Sequence, residues 1–269
     1  MKRRKFIELS ASAGIFSLIN AHNLLGTNAV KTVKKNLISS LRLETHSSLS
    51  EMRNFYEKVI GFPVVSETQR ELIIRAGQTK LVFVKTTQGS RPFYHFAFNI
   101  PENKIYKAFE WQKKRTALIN PRPTNERDPM KEVVNFQHWN SHSIFFLDPA
   151  GNLLEYIARH DLKNPAEGDF SVNDILYASE IGLVVDDTKS SGDTIIRQYE
   201  MDWYRPAANG YWVVGDEYGL LLMTTPGMIW TGHTGQENKT AVFKTSVTIN
   251  SAVREEWRPD KYPYEIVPV

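Results

Sequence analysis

Hydrophobic and polar residues alternate with a period of two along most of this chain, which is the pattern of half-buried β-strands. Three segments instead repeat their hydrophobic residues every three or four positions, as amphipathic helices do. The predicted helices are residues 48–60, 102–115 and 188–200. The predicted strands include residues 62–67, 71–76, 80–86, 94–101, 153–159, 179–185, 210–215, 219–224, 242–249 and 264–269. Helices separated by groups of short strands predict an α+β fold.

The first helix has clear boundaries in the sequence. Ser48 and Glu51 have the spacing of a capping box, in which each side chain accepts a hydrogen bond from the backbone of the other. Gly61 follows the last hydrophobic residue and tolerates the left-handed conformation that ends many helices. The helix is therefore predicted to begin at Ser48 and to end at Gly61.

The segment YHFAFNIP (94–101) places large hydrophobic residues on one face of a strand and His95, Ala97 and Asn99 on the other. A single histidine in a strand is often structural. Here the small side chain of Ala97 leaves room beside it on the same face. We therefore interpret His95 as an imidazole presented into a cup, and Asn99 as a candidate substrate-binding residue in that cup.

The segment FFLDPAGNLLEYIAR (145–159) indicates a strand, a tight turn and a second strand. Its Asp, Pro, Gly and Asn residues each favour turn conformations. In the second strand Glu155 and Arg159 share one face, so a carboxylate lies beside a guanidinium. Glu155 is a candidate metal ligand or general base, and Arg159 a candidate contact for that carboxylate or for an anion. An ordinary turn followed by a solvent-facing glutamate is the alternative.

These two segments and LSEMRNFYEKVIGFPVV (49–65) together resemble the vicinal oxygen chelate superfamily. Its members include glyoxalase I, extradiol dioxygenases, fosfomycin-resistance thiol transferases and bleomycin-binding proteins. The resemblance is strong over residues 39–160 and weaker over 178–250. It implies paired βαβββ modules that form a cup-shaped mixed sheet. The predicted domains are a glyoxalase-like domain at 39–160 and a second, partial domain with a degenerate module pair at 178–269.

The resemblance implies that His95 and Glu155 are metal ligands and that Glu155 is the catalytic residue. The metal would be a divalent ion such as Fe, Mn, Zn or Ni, because the available ligands are nitrogen and oxygen atoms. The usual third ligand of the superfamily corresponds to Leu41, which cannot bind a metal. The sequence therefore departs from the superfamily pattern at this position.

Three other positions are candidates for the third ligand. Leu41 looks buried, and a one-residue shift in register exchanges the two faces of a strand. Such a shift would turn Arg42, Glu44 and His46 toward the cup. Glu44 or His46 could then complete the coordination sphere, and we predict His46 as the third ligand and Arg42 as a contact for an anionic substrate. Glu180 opens the strand at 179–185 and is the other candidate, because it stands where a first ligand of the third module is expected.

The resemblance implies a metal-dependent enzyme of lyase, isomerase or dioxygenase type, with Phe145 lining the substrate site. One alternative is a metal-free binding protein of the bleomycin-resistance type, in which Phe145, Trp139, Trp111 and Leu41 form a hydrophobic cup. Another is an interaction module that keeps only the fold. The long polar stretch at 120–140 is predicted to be a lid or rim, since loops of this length are usually functional.

Residues 1–29 are predicted to be an export signal rather than part of the fold. A basic start with adjacent Arg3 and Arg4 precedes a short hydrophobic run and small residues at 27–29. The adjacent arginines resemble a twin-arginine signal. This predicts a periplasmic or exported protein. A basic amphipathic helix is the alternative interpretation of the segment.

The export signal also accounts for the positive net charge. The chain has 33 basic and 30 acidic residues, and removal of residues 1–29 takes away four basic residues and one acidic residue. The remainder has no net charge, which argues against a nucleic-acid-binding surface. The chain has no cysteine, so disulfides, thiolate ligands and cysteine nucleophiles are excluded. The predicted partner is a small molecule, with no nucleic acid and no stable membrane anchor; a homodimer stays open.

Overall fold

The computed structural model of the protein describes residues 36–86, 89–120, 130–205, 211–230 and 239–269. All of these residues belong to one compact unit, Val33–Val269. The predicted export signal at 1–29 lies outside the described residues. Within the described part of the chain, none of the helices has the length and hydrophobicity needed to cross a bilayer.

The first group of elements is a βαβββ unit. Its elements are β1 (Ile38–Thr45), α1 (Leu49–Arg53) with a π-helical continuation (Asn54–Ile60), β2 (Val64–Glu67), β3 (Glu71–Ala76) and β4 (Thr79–Lys85). Ser48 and Glu51 form the predicted capping box, and Gly61 ends the helix with a φ of 95°. Leu41 and Leu43 are buried, which confirms the predicted alternation of β1.

The second group repeats this arrangement. Its elements are β5 (His95–Ile100), α2 (Ile105–Lys113), β6 (Leu118–Ile119), β7 (Val134–Phe136), β8 (Ser141–Leu147) and β9 (Leu153–Arg159). Part of the predicted lid at 120–140 lies outside the described residues. Residues 134–136 of that stretch are not a loop, because they form β7 and pair with β8.

The third and fourth groups are progressively shorter. Their elements are β10 (Tyr177–Val184), α3 (Thr188–Tyr199), β11 (Trp212–Asp216) and β12 (Gly219–Thr224), followed by β13 (Thr245–Ile249) and β14 (Tyr264–Pro268). Between β13 and β14 the chain has no helix. This agrees with the prediction that the C-terminal module pair is degenerate.

The strands form two sheets, and each sheet combines an early group with a late one. The smaller sheet has the order β14-β13-β1-β4-β3-β2, so it joins the first and fourth groups. The larger sheet has the order β11-β12-β10-β5-β9-β8-β6, with β7 added on β8, so it joins the second and third groups. The predicted domains at 39–160 and 178–269 therefore each contribute strands to both sheets. The mixed sheets and few helices confirm the α+β prediction.

The two faces of the larger sheet pack against different partners. One face carries Phe96, Phe98 and Tyr156, joins the main hydrophobic core and is covered by α2 and α3. The other face carries the residues of opposite parity, among them His95 and Glu155, and we call it the His95 face. A second hydrophobic cluster lies on this face, and its buried members are Phe93, Val134, Phe145, Leu153, Val184, Val213, Leu220, Leu222 and Trp230.

A buried hydrogen-bond network fixes the turn between β8 and β9. The carboxylate of Asp148 accepts hydrogen bonds from the backbone of Ala150 and Asn152, from the Asn152 side chain, and from the Tyr56 hydroxyl at 2.8 Å. The Asn152 side-chain oxygen accepts from the backbone N–H of Tyr94 at 2.8 Å. The network thus joins the first helical segment, the turn and the start of β5, which begins at His95.

Replacement of Tyr56 by phenylalanine tests this network. Burial raises the pKa of Asp148 to about 6, with hydrogen bonds from Asn152 and Tyr56 opposing the rise. Because this folded pKa exceeds that of an unfolded aspartate, stability present at pH 4 and below is lost as the pH rises through 6. Without the Tyr56 donor the pKa rises further, so we expect a loss of about 1–3 kcal/mol at pH 7.5 and a smaller loss at pH 5.

Tyr156→Phe is the matched control. The Tyr156 hydroxyl is buried but has no hydrogen-bond partner, so its removal should leave stability almost unchanged. Denaturant unfolding of both variants at the two pH values gives the comparison. Equal losses in the two variants, or a Tyr56→Phe loss that does not grow with pH, would contradict this role of Asp148.

Candidate metal centre

His95 opens β5 and is 5% exposed. Its Nδ1 lies 3.1 Å from the backbone oxygen of Leu153. A carbonyl oxygen can only accept, so Nδ1 must carry the proton and donate it. The proton-free Nε2 then presents its lone pair to Glu155, whose Oε2 lies 3.5 Å away. This is the tautomer and the type of backbone contact that a metal-binding histidine requires.

The register of the larger sheet brings two carboxylates to the same place. Ala97 of β5 is paired with Glu155 of β9 on one side and with Glu180 of β10 on the other. Side chains at paired positions share one face of a sheet. The two glutamates therefore meet above the small side chain of Ala97. Ligand atoms of His95, Glu155 and Glu180 all lie within 4.8 Å of one another.

The electrostatics of these three residues favour a bound cation. Burial raises the pKa of Glu155 well above its usual range, and the negative charge of Glu180 adds to the rise. Burial also raises the pKa of Glu180. Burial lowers the pKa of His95 to about 4, so its imidazole is neutral at pH 7. Two carboxylates and a nitrogen lone pair thus face one another in a buried space, and a divalent cation would offset the cost of ionising both carboxylates. The donors fit Mn, Fe, Zn or Ni.

Arg159 connects this group to its surroundings. Its side chain is 1% exposed and forms a salt bridge with Glu180. Nη1 also lies 3.3 Å from the hydroxyl oxygen of Tyr204. The rings of Trp139 and Tyr204 each lie 5.6 Å from the guanidinium carbon. Arg159 therefore supplies one positive charge beside two carboxylates and lies next to a pair of aromatic rings that contact each other.

The structure places the other predicted ligand, His46, away from this group. His46 follows β1, whose neighbours are β4 and β13 in the smaller sheet, whereas β5 lies between β9 and β10 in the larger sheet. Its charge contributes to the lowering of the Glu51 pKa, after the hydrogen bonds from Ser48. His46 thus lies near the start of α1, and the third donor beside His95 and Glu155 is Glu180.

The predicted substrate contacts divide in the same way. Asn99 and Phe145 lie on the His95 face, and the ring centroids of His95 and Phe145 are 6.4 Å apart. Arg42 instead lies on the smaller sheet, where it forms a 2.5 Å salt bridge with Glu71 and is about half exposed. The structure therefore does not bring Arg42 to the His95 face.

The hydrophobic cup of the alternative prediction is also partly different. Phe145 and Trp139 belong to the cluster on the His95 face, and Tyr204 and Trp230 join them there. Trp111 packs against Phe170 in the main core instead. Leu41 is in the main core as well. The reason is that β1 lies in the smaller sheet and α2 covers the opposite face of the larger sheet.

The remaining histidines lie apart from the donor group. Nδ1 of His142 is 2.7 Å from Nε2 of His160, and His142 occupies the alternation of β8 opposite to that of Phe145. The sequence suggested that His160 is solvated, but it is half-buried against His142. His138 is exposed in the short 3-10 turn at 137–139. His233 lies outside the described residues.

Comparison with known proteins identifies the class to which this fold belongs. Residues 45–156 match the family model of the Glyoxalase/Bleomycin resistance protein/Dioxygenase superfamily. Glyoxalase I from Zea mays is 13% identical, with 87% of this chain and 92% of that chain covered and a TM-score of 0.52. A proposed dioxygenase from Bacillus subtilis is 14% identical, with 88% and 86% covered and a TM-score of 0.55. A comparison of this sequence with curated proteins found no match.

The fold of the described chain is therefore that of the glyoxalase, bleomycin-resistance and dioxygenase superfamily. The matched segment includes His95 and Glu155 but ends before Glu180. The likeness to solved structures shows the fold, and the buried His–Glu–Glu group could hold a metal ion.

Proposed function

We propose that this protein is a glyoxalase-like metalloenzyme that activates a small oxygenated substrate at His95, Glu155 and Glu180. The observation that carries the proposal is the orientation of His95. Its Nδ1 is committed to Leu153, so the free Nε2 lone pair faces a carboxylate at 3.5 Å, and only a cation or a proton between them makes this arrangement favourable. The two buried carboxylates with raised pKa values likewise favour a cation or a proton between them.

The residues of the site have distinct parts in the proposed reaction. His95, Glu155 and Glu180 would hold the cation, which would supply Lewis acidity toward adjacent oxygens of the substrate. Glu155 is the group proposed to take and return a proton, because it is the carboxylate that faces Nε2 of His95. Arg159 opposes the rise in the pKa of Glu180 and holds that side chain in position. The hydrophobic cluster on the His95 face keeps water away and so strengthens these interactions.

The proposed reaction class is a lyase, isomerase or dioxygenase reaction. These reactions share a step in which negative charge develops on an oxygen of the substrate, and a site with one cation and one carboxylate base serves that step. Vicinal diols, hydroxy-ketones and catechols are the substrates whose adjacent oxygens suit such a site.

The aromatic residues on the His95 face support a second candidate function. Phe145, Trp139, Tyr204 and Trp230 could bury an aromatic ligand without a metal, as a bleomycin-resistance type of binding protein would. In that case the function would be sequestration rather than catalysis. The two candidates differ in whether the ligand is converted and in whether the metal is needed.

A substrate screen with metal-loaded and metal-stripped protein separates the two candidates. We expect protein loaded with Mn, Fe, Zn or Ni to convert a substrate that carries oxygens on adjacent carbons, and we expect His95→Ala and Glu155→Ala to lose that turnover. The same variants should remain folded by circular dichroism. Turnover that persists after metal removal would contradict the metalloenzyme. Binding of an unconverted aromatic ligand with equal affinity before and after metal removal would establish the second candidate.

The proposed place of action is the periplasm or the cell exterior, with a small molecule as the partner. The support is the basic, twin-arginine-like start of the sequence and the neutral charge of the remainder. A reporter fused to residues 1–29 should be exported, and replacement of both Arg3 and Arg4 by lysine should stop its export. A reporter that stays inside the cell with the unaltered segment would rule this location out.

A further inference from the structure

The His95 face continues beyond the three donors into a patch of buried polar groups that lack partners. Asn99 is fully buried, and neither its side-chain nitrogen nor its side-chain oxygen has a hydrogen-bond partner. Nε of Arg159 and Oγ of Ser141 are buried without partners as well. We call Asn99, Ser141 and Arg159 the polar end of the face.

The strand registers place these three side chains together. Asn99 of β5 is paired with Ile157 of β9, two residues before Arg159 on the same face. Arg159 is itself paired with Ser141 of β8. Neighbours on one face of a sheet have Cβ atoms about 5–8 Å apart, which long side chains span easily. Asn99 is thus a diagonal neighbour of Arg159, and Arg159 is a direct neighbour of Ser141. Glu155 lies on the same face of β9 two positions further along, beyond Ile157.

Unpaired polar groups of this kind are unusual in a protein interior. Most buried polar atoms in native proteins are hydrogen-bonded, because leaving one unpaired costs free energy that folding must offset. Here three polar side chains each have at least one buried atom without a hydrogen-bond partner, and they lie next to the candidate metal donors. A polar ligand bound beside the cation would satisfy all three.

Arg159 has donors to spare for such a ligand. A guanidinium carries five N–H groups in a fixed plane. In the structure Nη2 contacts Glu180 and Nη1 contacts the Tyr204 hydroxyl, whereas Nε contacts no acceptor. The salt bridge with Glu180 and the contact with the Tyr204 hydroxyl hold the guanidinium in place, and the rings of Trp139 and Tyr204 lie 5.6 Å from its carbon. The group is thus preorganised to bind a planar anion such as a carboxylate.

The charge balance indicates an anion with a single charge. Two carboxylates, one guanidinium and a neutral imidazole line the buried site. With a divalent cation bound and both carboxylates ionised, the site carries one net positive charge. An unbalanced charge in a buried site is costly, so a monoanion is the ligand that leaves the site neutral. This step rests on the proposed function, because it requires the cation.

The other side of the donor group is hydrophobic. Glu180 of β10 is paired with Leu220 of β12, and Gly182 is paired with Leu222. Leu222 is paired with Gly182 in the same way that Glu155 is paired with Ala97. At the equivalent position, the third group of strands therefore has a hydrophobic side chain where the second group has a carboxylate. A ligand that spans the donors would meet polar groups at one end and hydrophobic groups at the other.

We propose that the substrate is a small monocarboxylate with a second oxygen on the neighbouring carbon and a hydrophobic substituent. Its carboxylate binds Arg159 and Asn99, its second oxygen lies at the cation, and its substituent packs against Leu220 and Leu222. This inference deepens the proposed function by naming the substrate class, and it assigns Arg159 and Asn99 to carboxylate binding.

Calorimetric titration with mandelate and with mandelamide tests the inference. The two probes share a hydroxyl and a phenyl ring, and mandelamide has a neutral amide of similar shape in place of the carboxylate. We expect the Zn²⁺-loaded protein to bind mandelate at least about tenfold more tightly, since charge-assisted hydrogen bonds are stronger than neutral ones. Arg159→Met should lose this preference while retaining one Zn²⁺ per chain.

Two further variants complete the design. Arg205→Met is the matched control, because Arg205 also lies over the Tyr204 ring but pairs with Asp161 instead of Glu180, so the preference should stay. Asn99→Leu preserves the approximate size of the side chain and the Arg159–Glu180 salt bridge. It should weaken mandelate binding more than mandelamide binding, and it decides the question if Arg159→Met does not fold.

The outcomes that would overturn the inference are distinct from those that concern the metal. Equal affinity for both probes in the wild type, or an unchanged preference in Asn99→Leu, would rule out a carboxylate site. Loss of Zn²⁺ from Arg159→Met would show that Arg159 only positions Glu180. If the wild type binds none of Mn, Fe, Zn and Ni, the proposed function fails, and a mandelate preference in the metal-free protein, lost in Asn99→Leu, would still establish the carboxylate site.

Discussion

Glu180→Gln is expected to reduce the affinity for a divalent metal by more than about 100-fold. Loss of an outer-shell partner of a metal site costs up to about 100-fold in affinity, and loss of a direct ligand should cost more. Glutamine keeps the size of the side chain and an oxygen that can accept from Arg159, so the fold should survive. The negative charge beside Glu155 and His95 is lost, however, and with it one of the three donors. Metal titration of the stripped protein, followed by calorimetry, measures the change.

Glu71→Gln is the matched control for this experiment. Glu71 lies on β3 of the smaller sheet and pairs with Arg42 near the surface. The same chemical change there should leave metal affinity untouched. Wild-type metal affinity in Glu180→Gln would show that Glu180 is not a ligand and that His95 and Glu155 bind the metal with a different third donor.

The buried pair of Arg159 and Glu180 should show strongly non-additive effects on stability. Both side chains are 1% exposed, so removing one partner leaves the other charged and buried without its counter-charge. In metal-free protein we expect Arg159→Met and Glu180→Leu each to cost about 3–5 kcal/mol. The double variant replaces both charges by hydrophobic groups and should recover most of that loss. Denaturant unfolding of the four proteins gives the double-mutant cycle.

The surface pair Arg42–Glu71 provides the comparison. Its side chains are far more exposed, so the corresponding Arg42→Met and Glu71→Leu changes should cost no more than about 1 kcal/mol each. Additive losses in the Arg159–Glu180 cycle would mean that the two charges do not stabilise each other. Metal should restore stability to Arg159→Met, which keeps all three donors, but not to the double variant.

Local sequence patterns were sufficient to predict most of the secondary structure. The capping box of Ser48 and Glu51 and the left-handed backbone conformation of Gly61 depend only on residues in or next to one helix. The structure has both features. The alternation of β5 grouped His95 with Asn99, and that of β9 grouped Glu155 with Arg159, because side-chain direction in a strand depends only on residue parity. That the two groups share one face follows from the pairing of β5 with β9. The DPAGN turn was predicted as a turn, but its buried link to Tyr56 joins residues far apart in the sequence.

The third donor could not be chosen from local patterns. His46 and Glu180 were both candidates, and the choice depends on which group of strands lies beside β5. In the structure β10 takes that place and brings Glu180 to Ala97, whereas β1 pairs in the other sheet. The same long-range pairing moves Arg42, Trp111 and Leu41 away from the His95 face. The similar openings HFAFNI and EIGLVV, with His95 and Glu180 at equivalent positions, were the one signal that pointed to it.

The most direct test of the central claim is anomalous X-ray diffraction from crystals of the metal-loaded protein. We expect one anomalous peak per chain within bonding distance of His95 Nε2 and of carboxylate oxygens of Glu155 and Glu180. The peak should be absent from crystals of Glu180→Gln grown under the same conditions. A wild-type map with no peak among these three residues, from crystals in which metal is bound elsewhere on the chain, would contradict the metal centre and favour the metal-free binding protein.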